Sequence, residues 1–258
     1  MAGHRVSLAR AAPGFGNGGL INKLTADVQK PTPAPLCSQT VDATGPASPC
    51  AFTAAAQDGP VPSKCMAIAQ ALPGVVHARF TPVQAGVPAE VTFTYAGHST
   101  YLIDTPAGVR IATDFSGAYG GNPPPRGTSM NKPHPTHFTE TPDPAIEHVL
   151  RGWNPQGGPA RHGLVVDDVY IRNVPTDIRT WGGGLERDGN SIFVFEVADL
   201  CIGHLGHLHT RLSDPQYGAI GRLDVVMVSI DGGMTQSLAG MSEVAGRLQS
   251  SVILPMHR

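Results

Sequence analysis

The pattern of hydrophobic and polar positions divides the chain into two regions that meet near residue 89. Residues 1–88 are rich in proline, alanine, glycine, serine and threonine, and only one short piece, residues 65–72, has the spacing of a helix. Segments of this composition bury too little apolar surface to form a packed core. We therefore predict an irregular N-terminal arm over residues 1–88 and a folded domain over residues 89–258.

From residue 90 onwards, short β-rich runs alternate with turn signals. The stretch VTFTYAGHSTYLIDTPAGVRIATDF has three such runs separated by glycine or proline and predicts a strand meander. Two later runs, HGLVVDDVYIRNVP and NSIFVFEVADLCIGHL, also predict strands, and the glycine-rich segment WGGGLERDGN between them predicts a loop. The segment DPAIEHVLRGW predicts a helix with Asp143 as its N-cap and Pro144 in its first turn.

The last quarter of the chain has strand and helix patterns in alternation. SDPQYGAIGRL and MSEVAGRLQ have the spacing of short helices, whereas DVVMVSI and SSVILPMH are apolar runs typical of buried strands. Strands followed by alternating strands and helices favour sheets that are covered by helices in layers. The pattern therefore predicts an α/β or α+β domain.

The composition limits the kinds of partner. Only 15% of the 258 residues are charged and the formal net charge is −2, so we predict no basic surface for nucleic acid or anionic lipid. No apolar run approaches the roughly 20 residues of a membrane-spanning helix. We expect a small-molecule substrate, no nucleic-acid partner and no membrane span, and the oligomeric state is not indicated.

Three of the four cysteines, Cys37, Cys50 and Cys65, lie in the arm without a CxxC pair. This pattern suits a disulfide bond among them better than a zinc knuckle, with three ordinary thiols as the alternative. Cys201 lies in an apolar run and is expected to be a small buried hydrophobic residue. The cysteines favour the periplasm or secretion, whereas the glycine-rich first 20 residues lack a convincing signal-peptide core and leave a cytoplasmic location open.

Histidines follow several of the β-like runs, where the edge of a sheet could bring imidazoles together. Neutral imidazole is a ligand for zinc, copper, iron and nickel, and three or four converging rings are enough for a site. Each histidine could equally be an ordinary hydrogen-bonded residue, and in the proline-punctuated stretch MNKPHPTH spacing alone leaves a polar loop as the alternative. The histidines in these positions are His98, His134, His137, His204, His207, His209 and His257.

Three segments resemble the metallo-β-lactamase superfamily, in particular its lactonase-like and uncharacterised hydrolase branch. They are VTFTYAGHSTYLIDTPAGVRIATDF, CIGHLGHLHTRLSDPQYGAIGRLDVVMVSIDGG and VILPMHR, and the resemblance covers about residues 90–258. It implies a four-layer αββα sandwich with a metal site at one edge of two packed sheets. It also implies a metal-dependent hydrolase, in which metal-bound water attacks an ester, lactone, amide or phosphoester bond.

The same resemblance places the first metal motif of the superfamily, HxHxDH, on the stretch KPHPTH. Lys132 stands at the first histidine and His134 at the second. Thr136 stands at the aspartate, and His137 stands at the final histidine. Half of the motif is therefore absent from this chain.

The remaining ligands that the resemblance implies are His204, His207 and His257, of which His207 replaces the aspartate of the HLGD form. Relative to the usual two-metal site, the residues at Lys132, Thr136 and His207 make the pocket about three charge units more positive. Two dications without a carboxylate to offset them would repel each other strongly. We therefore expect one divalent metal, most readily zinc, although copper, iron or nickel would also suit an all-nitrogen ligand set.

Five other assignments concern side chains that could support the metal. Lys132 could stabilise an oxyanion or an anionic substrate, or its stem could turn into solvent. Asp177 and Asp231 follow β-like runs, and each is a candidate for acid–base catalysis or an ordinary loop cap. His98 and Asp114 are expected to hold ligand imidazoles in orientation, with a turn-forming role as the alternative for Asp114.

Two other interpretations compete with hydrolysis. The missing carboxylates favour a protein of the same fold that uses its histidines for metal binding or redox chemistry, and a relative without any metal is the third interpretation. Fold alone does not decide between them, because one fold supports many chemistries. His209 is expected to be peripheral to the site, and Trp181 to form an apolar wall of the pocket.

Overall fold

The computed structural model describes residues 5–9, 63–66, 89–180 and 182–257. Its strands form two six-stranded sheets. The first sheet contains, in spatial order, β1 (Arg5–Ala9), β2 (Glu90–Gly97), β3 (Thr100–Asp104), β4 (Arg110–Ala112), β5 (Gly127–Met130) and β6 (His148–Arg151). Strands β1 to β4 pair antiparallel, whereas β4, β5 and β6 pair parallel.

The second sheet also follows the order of the chain. Its antiparallel part contains β7 (Gly163–Val166), β8 (Val169–Arg179), β9 (Leu185–Val197) and β10 (Leu200–His204). Two parallel strands complete the sheet, β11 (Val225–Ser229) and β12 (Val252–Met256). Parallel neighbours need a crossover connection, and the helices α1 (Asp214–Ile220) and α2 (Leu238–Arg247) lie in these connections.

The main apolar core lies between the two sheets. Phe93 of the first sheet and Phe193 and Phe195 of the second are fully or almost fully buried in one cluster. On the same central strand β9, Ile192 and Val194 belong instead to the cluster under the helices. Burial on both faces explains why the sequence of β9 is a continuous apolar run rather than an alternating one.

Both helices cover the outer face of the second sheet, where Met241 of α2 and Val226 of β11 belong to the same buried cluster. Helix α1 begins with a capping box, in which the backbone N–H of Ser213 donates to Gln216 at 2.9 Å. In the described residues the outer face of the first sheet is covered by connecting segments around Phe115 and not by a helix. The α/β sandwich of two sheets predicted above is confirmed.

The helix predicted from Asp143 is wrong. The Asp143 side chain accepts a hydrogen bond from the backbone N–H of Ala145, at 2.8 Å, and this caps a turn. The following residues form β6, which pairs parallel with β5. Pairing with a neighbouring strand outweighs the helix preference, because local propensity is a weak constraint. The glycine-rich loop is also shorter than predicted, since β9 begins at Leu185.

A disulfide bond joins Cys65 to Cys201, whose Cα atoms are 5.8 Å apart. The expectation that Cys201 is an unpaired hydrophobic residue is therefore wrong, although its side chain is buried. The sequence could not indicate this pair, because the two cysteines are 136 positions apart and meet only when the chain has folded. Cys37, Cys50 and the predicted helical residues 67–72 lie outside the described part of the chain.

Two short pieces of the N-terminal region contact the sandwich. Strand β1 pairs antiparallel with β2 at the edge of the first sheet. Near Cys65, the backbone N–H of Lys64 donates to Glu196 of β9 at 2.9 Å. No helix in the described ranges is long and apolar enough to cross a membrane. The domain boundary near residue 89 stays a prediction.

Candidate metal centre

Five imidazoles meet at one edge of the sandwich, each beyond the end of a strand. His98 follows β2, His134 and His137 follow β5, His207 follows β10, and His257 follows β12. Loops at strand ends are held by a rigid scaffold and commonly carry binding groups. We refer to these five side chains as the imidazole cluster, and both sheets contribute to it.

The ring nitrogens of the imidazole cluster have the spacing of metal ligands. His98, His134, His137 and His257 each offer a nitrogen within 4.8 Å of the others. The Nε2 atom of His207 is 3.2 Å from Nε2 of His134. Two nitrogens on one tetrahedral zinc ion are about 3.3 Å apart, because zinc–nitrogen bonds are about 2.0–2.1 Å long. Nε2 of His134 and Nε2 of His207 could therefore bind the same ion.

Several nitrogens of the imidazole cluster are buried without a hydrogen-bond partner. They are Nε2 of His137, Nδ1 of His207, and both ring nitrogens of His257. Buried polar atoms nearly always have a partner, and an unpaired one costs about 1–3 kcal/mol. Since each neutral imidazole has one lone pair to offer, a metal ion would satisfy Nε2 of His137 and one ring nitrogen of His257 where the protein does not. The residues present thus fit a bound metal.

Three residues at the site have a left-handed backbone, which non-glycine residues rarely adopt. The φ angle is 50° at His98, 42° at Asp114 and 58° at His257. Such residues cost about 1–3 kcal/mol each and concentrate at functional sites. The backbone N–H of His257 also donates to the carbonyl oxygen of His98 at 2.8 Å, so the strained turns of the two sheets are joined directly.

Asp114 holds the ring of His137. The Nδ1 atom of His137 donates to Oδ2 of Asp114 at 2.7 Å, and the Asn131 amide donates to Oδ1 at 2.7 Å. Burial alone would raise the pKa of Asp114, but the neighbouring imidazoles of His204 and His137 and these hydrogen bonds lower it overall. The ionised carboxylate keeps the proton of His137 on Nδ1 and directs the lone pair of Nε2 into the cluster.

Four of the imidazoles have lowered pKa values. Burial, and then repulsion from neighbouring imidazoles, lowers the pKa of His134 to about 4 and that of His257 to about 4. The same causes lower the pKa of His98 and His207. Because neutral imidazole is the form that binds metal, these rings need not release a proton to bind an ion at neutral pH.

His204 is not brought into this group of nitrogens, although the sequence predicted it as a ligand. It is fully buried, and both of its nitrogens bond to the backbone. Nε2 donates to the carbonyl oxygen of Ser99 at 3.0 Å, and Nδ1 accepts from the N–H of Gly206 at 3.1 Å. His204 therefore ties the end of β10 to the turn that carries His98.

Lys132 and Asp177 contact other groups. The ammonium of Lys132 pairs with the carboxylate of Glu186, where both side chains are partly exposed. Oδ1 of Asp177 accepts from the backbone N–H of Asp188 at 3.0 Å, across an irregularity in the pairing of β8 with β9. Trp181, the predicted apolar wall, lies outside the described residues.

Asp231 lies beside the imidazole cluster. Its Oδ2 atom is 3.5 Å from Nδ1 of His257 and accepts backbone N–H groups of Met234 and Thr235 at 2.7 and 3.1 Å. Burial would raise the pKa of Asp231, but the hydrogen bonds from Thr235, the charge of His257 and the bond from Met234 lower it overall. The ionised carboxylate lies close to Nδ1 of His257 without forming a hydrogen bond to it, so only its charge acts on the ring.

The sequence did not indicate how closely His98 approaches the other imidazoles. Its ring centroid is 4.3 Å from that of His257 and 5.1 Å from that of His137. One hint was present in the sequence, because His98 directly follows a β-like run. The predicted peripheral residue His209 has its ring centroid 4.5 Å from that of His207, and its Nδ1 accepts from the N–H of Arg179 at 3.0 Å.

Residues 92–257 match the family described as the beta-lactamase superfamily domain. The chain belongs to the beta-lactamase superfamily. This membership confirms the resemblance found in the sequence, and the imidazole cluster lies at the sheet edge where that resemblance implies a metal site. None of the curated proteins matches the chain significantly.

Three solved structures are similar to this chain over about two thirds of its length. A candidate zinc-dependent hydrolase of the metallo-beta-lactamase superfamily from Thermotoga maritima is 27% identical, with 64% of this chain and 74% of that protein covered and a TM-score of 0.46. A candidate metal-dependent hydrolase from Parabacteroides distasonis is 13% identical, with 66% and 83% covered and a TM-score of 0.50. CmlA, a diiron β-hydroxylase from Streptomyces venezuelae, is 12% identical, with 66% and 45% covered and a TM-score of 0.46.

Proposed function

We propose that this protein is a metal-dependent hydrolase with a single divalent ion bound in the imidazole cluster. The proposed ligands are His98, His134, His137 and His257, with His207 as a fifth candidate. The observation that carries the proposal is that His137 and His257 have buried ring nitrogens without a hydrogen-bond partner. We propose zinc as the ion, because imidazole nitrogens are ordinary zinc ligands and zinc can expand from four ligands to five, which would leave a position for water beside the four rings. An all-imidazole set would also accept copper, iron or nickel.

A single ion is favoured by the charges around the cluster. The four grouped ligands are all histidines. The two nearby carboxylates, Asp114 and Asp231, contact the rings of His137 and His257 rather than joining this group. Without a carboxylate between them, two dications would repel each other in a partly dehydrated pocket.

The proposed chemistry divides between the ion and the chain. A divalent ion in an open site lowers the pKa of a bound water to about 7 and so supplies a nucleophile for an ester, lactone, amide or phosphoester bond. Asp114 orients the ring of His137 through a hydrogen bond, and Asp231 places a negative charge beside the ring of His257. We assign no oxyanion role to Lys132, because its ammonium pairs with Glu186. We assign no proton transfer to Asp177, because its carboxylate accepts from the backbone N–H of Asp188.

Metal analysis combined with a substrate screen tests this proposal. Wild-type protein should contain one ion per chain and hydrolyse a member of an ester, lactone, amide and phosphodiester panel. His134→Ala and His257→Ala should lose both properties. His148→Ala, which changes a histidine of β6 outside the grouped ligands, should keep both. Two ions per chain, or activity that survives complete removal of metal, would refute the proposal.

A second candidate function is metal binding or redox chemistry without hydrolysis. The observation that favours it is the fifth imidazole, since His207 approaches His134 to 3.2 Å and could fill the position that water needs. Catalytic zinc sites keep one position open, whereas structural sites are closed. Cobalt(II) substitution distinguishes the two, because azide should change the visible spectrum of an open site and leave that of a closed site unchanged.

We also propose that the protein works in the periplasm or is secreted. The disulfide bond between Cys65 and Cys201 supports this location, because such bonds persist mainly in oxidising compartments. Fractionation of the source cells, followed by detection of the protein with an antibody, tests the proposal. Recovery of the protein in the cytoplasmic fraction alone would contradict it.

A further inference from the structure

The hydroxyl of Thr136 lies between two rings of the imidazole cluster. Its Oγ1 atom is 2.6 Å from Nδ1 of His134 and 2.9 Å from Nε2 of His98. This is the position at which the superfamily motif has an aspartate, and a neutral threonine brings no charge to an ion there. The two contacts instead connect a residue of the motif to a residue that precedes it by 38 positions.

The number of protons on these atoms limits how the contacts can be arranged. A hydroxyl has one proton to donate and two lone pairs that accept. If Thr136 donates to one ring, that ring carries its proton on the opposite nitrogen, which then has no lone pair for a metal. If Thr136 accepts from both rings, His134 keeps a lone pair on Nε2 and His98 keeps one on Nδ1. The Thr136 side chain is exposed, so its own proton can bond to solvent.

We propose that Thr136 is a positioning residue that accepts from both rings, fixes their protons on Nδ1 of His134 and Nε2 of His98, and thereby makes His98 a metal ligand. His98 then replaces the imidazole that is absent at Lys132. The aspartate position of the motif no longer binds a second ion but instead organises the first. This inference rests on the metal site proposed above.

Thr136→Val tests this role, because valine keeps the shape of threonine but removes the hydroxyl. Nitrogen-15 NMR of the imidazoles reports which nitrogen carries the proton in metal-free protein, and competition with a chelator gives the zinc Kd. Thr136→Val should lose the two defined tautomers and raise the zinc Kd about 10- to 100-fold. Thr136→Ser and Thr139→Val, which changes another threonine of the same loop, should keep wild-type tautomers and Kd. Wild-type values in Thr136→Val would overturn the inference.

A double-mutant cycle with His98→Ala tests whether the two residues act together. His98→Ala alone should raise the zinc Kd. In the double variant with Thr136→Val, the Kd should rise by less than the product of the two single-variant increases. Fully multiplicative losses would overturn the link to His98. A wild-type protein that shows these tautomers and this coupling but hydrolyses nothing would refute only the hydrolase proposal. If the wild type is a hydrolase with one ion, and Thr136→Val has the same zinc Kd and the same tautomers as the wild type, only this inference would be refuted.

Discussion

At the scale of single residues, the imidazole cluster concentrates costs that a bound ion would offset. Three left-handed residues cost about 1–3 kcal/mol each, and each buried nitrogen without a partner costs about as much. These costs are large compared with the free energy of unfolding of a folded protein, which is about 5–15 kcal/mol. The metal-free site is therefore a costly part of the fold, and ligand binding should stabilise the whole protein.

The Asp114 carboxylate gives a prediction at this scale. Asp114→Asn keeps the size of the side chain but removes the charge that holds the proton on Nδ1 of His137. We expect the zinc Kd to rise about 10- to 100-fold, as for other residues that orient a ligand, measured by chelator competition. Asp168→Asn is the matched control, because Asp168 accepts from Thr105 and Ala107 in a turn elsewhere. Equal Kd values for Asp114→Asn and the wild type would contradict the orienting role.

At the scale of strands and helices, the sequence predicted what local pattern determines. Apolar runs identified β8 to β12, and histidines at strand ends pointed to the edge that carries the site. It did not identify β6, which exists because β5 lies beside it. It also could not foresee that His204 is bonded to the backbone while His98 lies among the other rings, because strand-end spacing does not specify which partner a ring meets.

The disulfide bond gives a prediction at the scale of elements, since it ties residues 63–66 to β10. Cross-linking residues that are 136 positions apart restricts the unfolded chain strongly. Cys65→Ala should lower the free energy of unfolding by about 2–5 kcal/mol in guanidinium chloride titrations. A reducing agent should destabilise the wild type by breaking the bond between Cys65 and Cys201, and should not have this effect on Cys65→Ala, which lacks the bond. Equal stability of Cys65→Ala, Cys201→Ala and the wild type would show that the bond contributes nothing.

At the scale of the whole molecule, the metal stoichiometry depends on the summed charge of the pocket. Lys132→His, Thr136→Asp and His207→Asp together restore the superfamily pattern. The two new carboxylates add about two negative charges at the imidazole cluster, whereas the charge of Lys132 is already paired with Glu186. The triple variant should therefore bind two ions where the wild type binds one, measured by elemental analysis after dialysis against zinc. Thr139→Asp is the control for an added carboxylate in the same loop and should stay at one ion. A triple variant that also stays at one ion would show that charge does not limit the stoichiometry.

The pH dependence of stability follows from the same buried rings. Burial lowers the folded-state pKa of His134 and His257 to about 4, against an ordinary value of 6.5 in the unfolded chain. Between these values the unfolded chain binds more protons, so stability is fully present above about pH 6.5 and is lost as the pH falls towards 4. The Tm of metal-free protein should therefore fall steadily from pH 7 to pH 5. His134→Gln and His257→Gln should each make this slope shallower.

Zinc should reduce the loss of stability near pH 7, at the upper end of the range from pH 7 to pH 5. An ion present at about 100 times its Kd adds about 2.7 kcal/mol of stability, but protons compete for the same nitrogens, so the added stability should shrink as the pH falls. The measurement is calorimetry with and without zinc at each pH. A Tm of metal-free protein that is flat from pH 7 to pH 5 would mean that the rings are not held neutral in the folded protein, and a zinc effect independent of pH would mean that they are not its ligands.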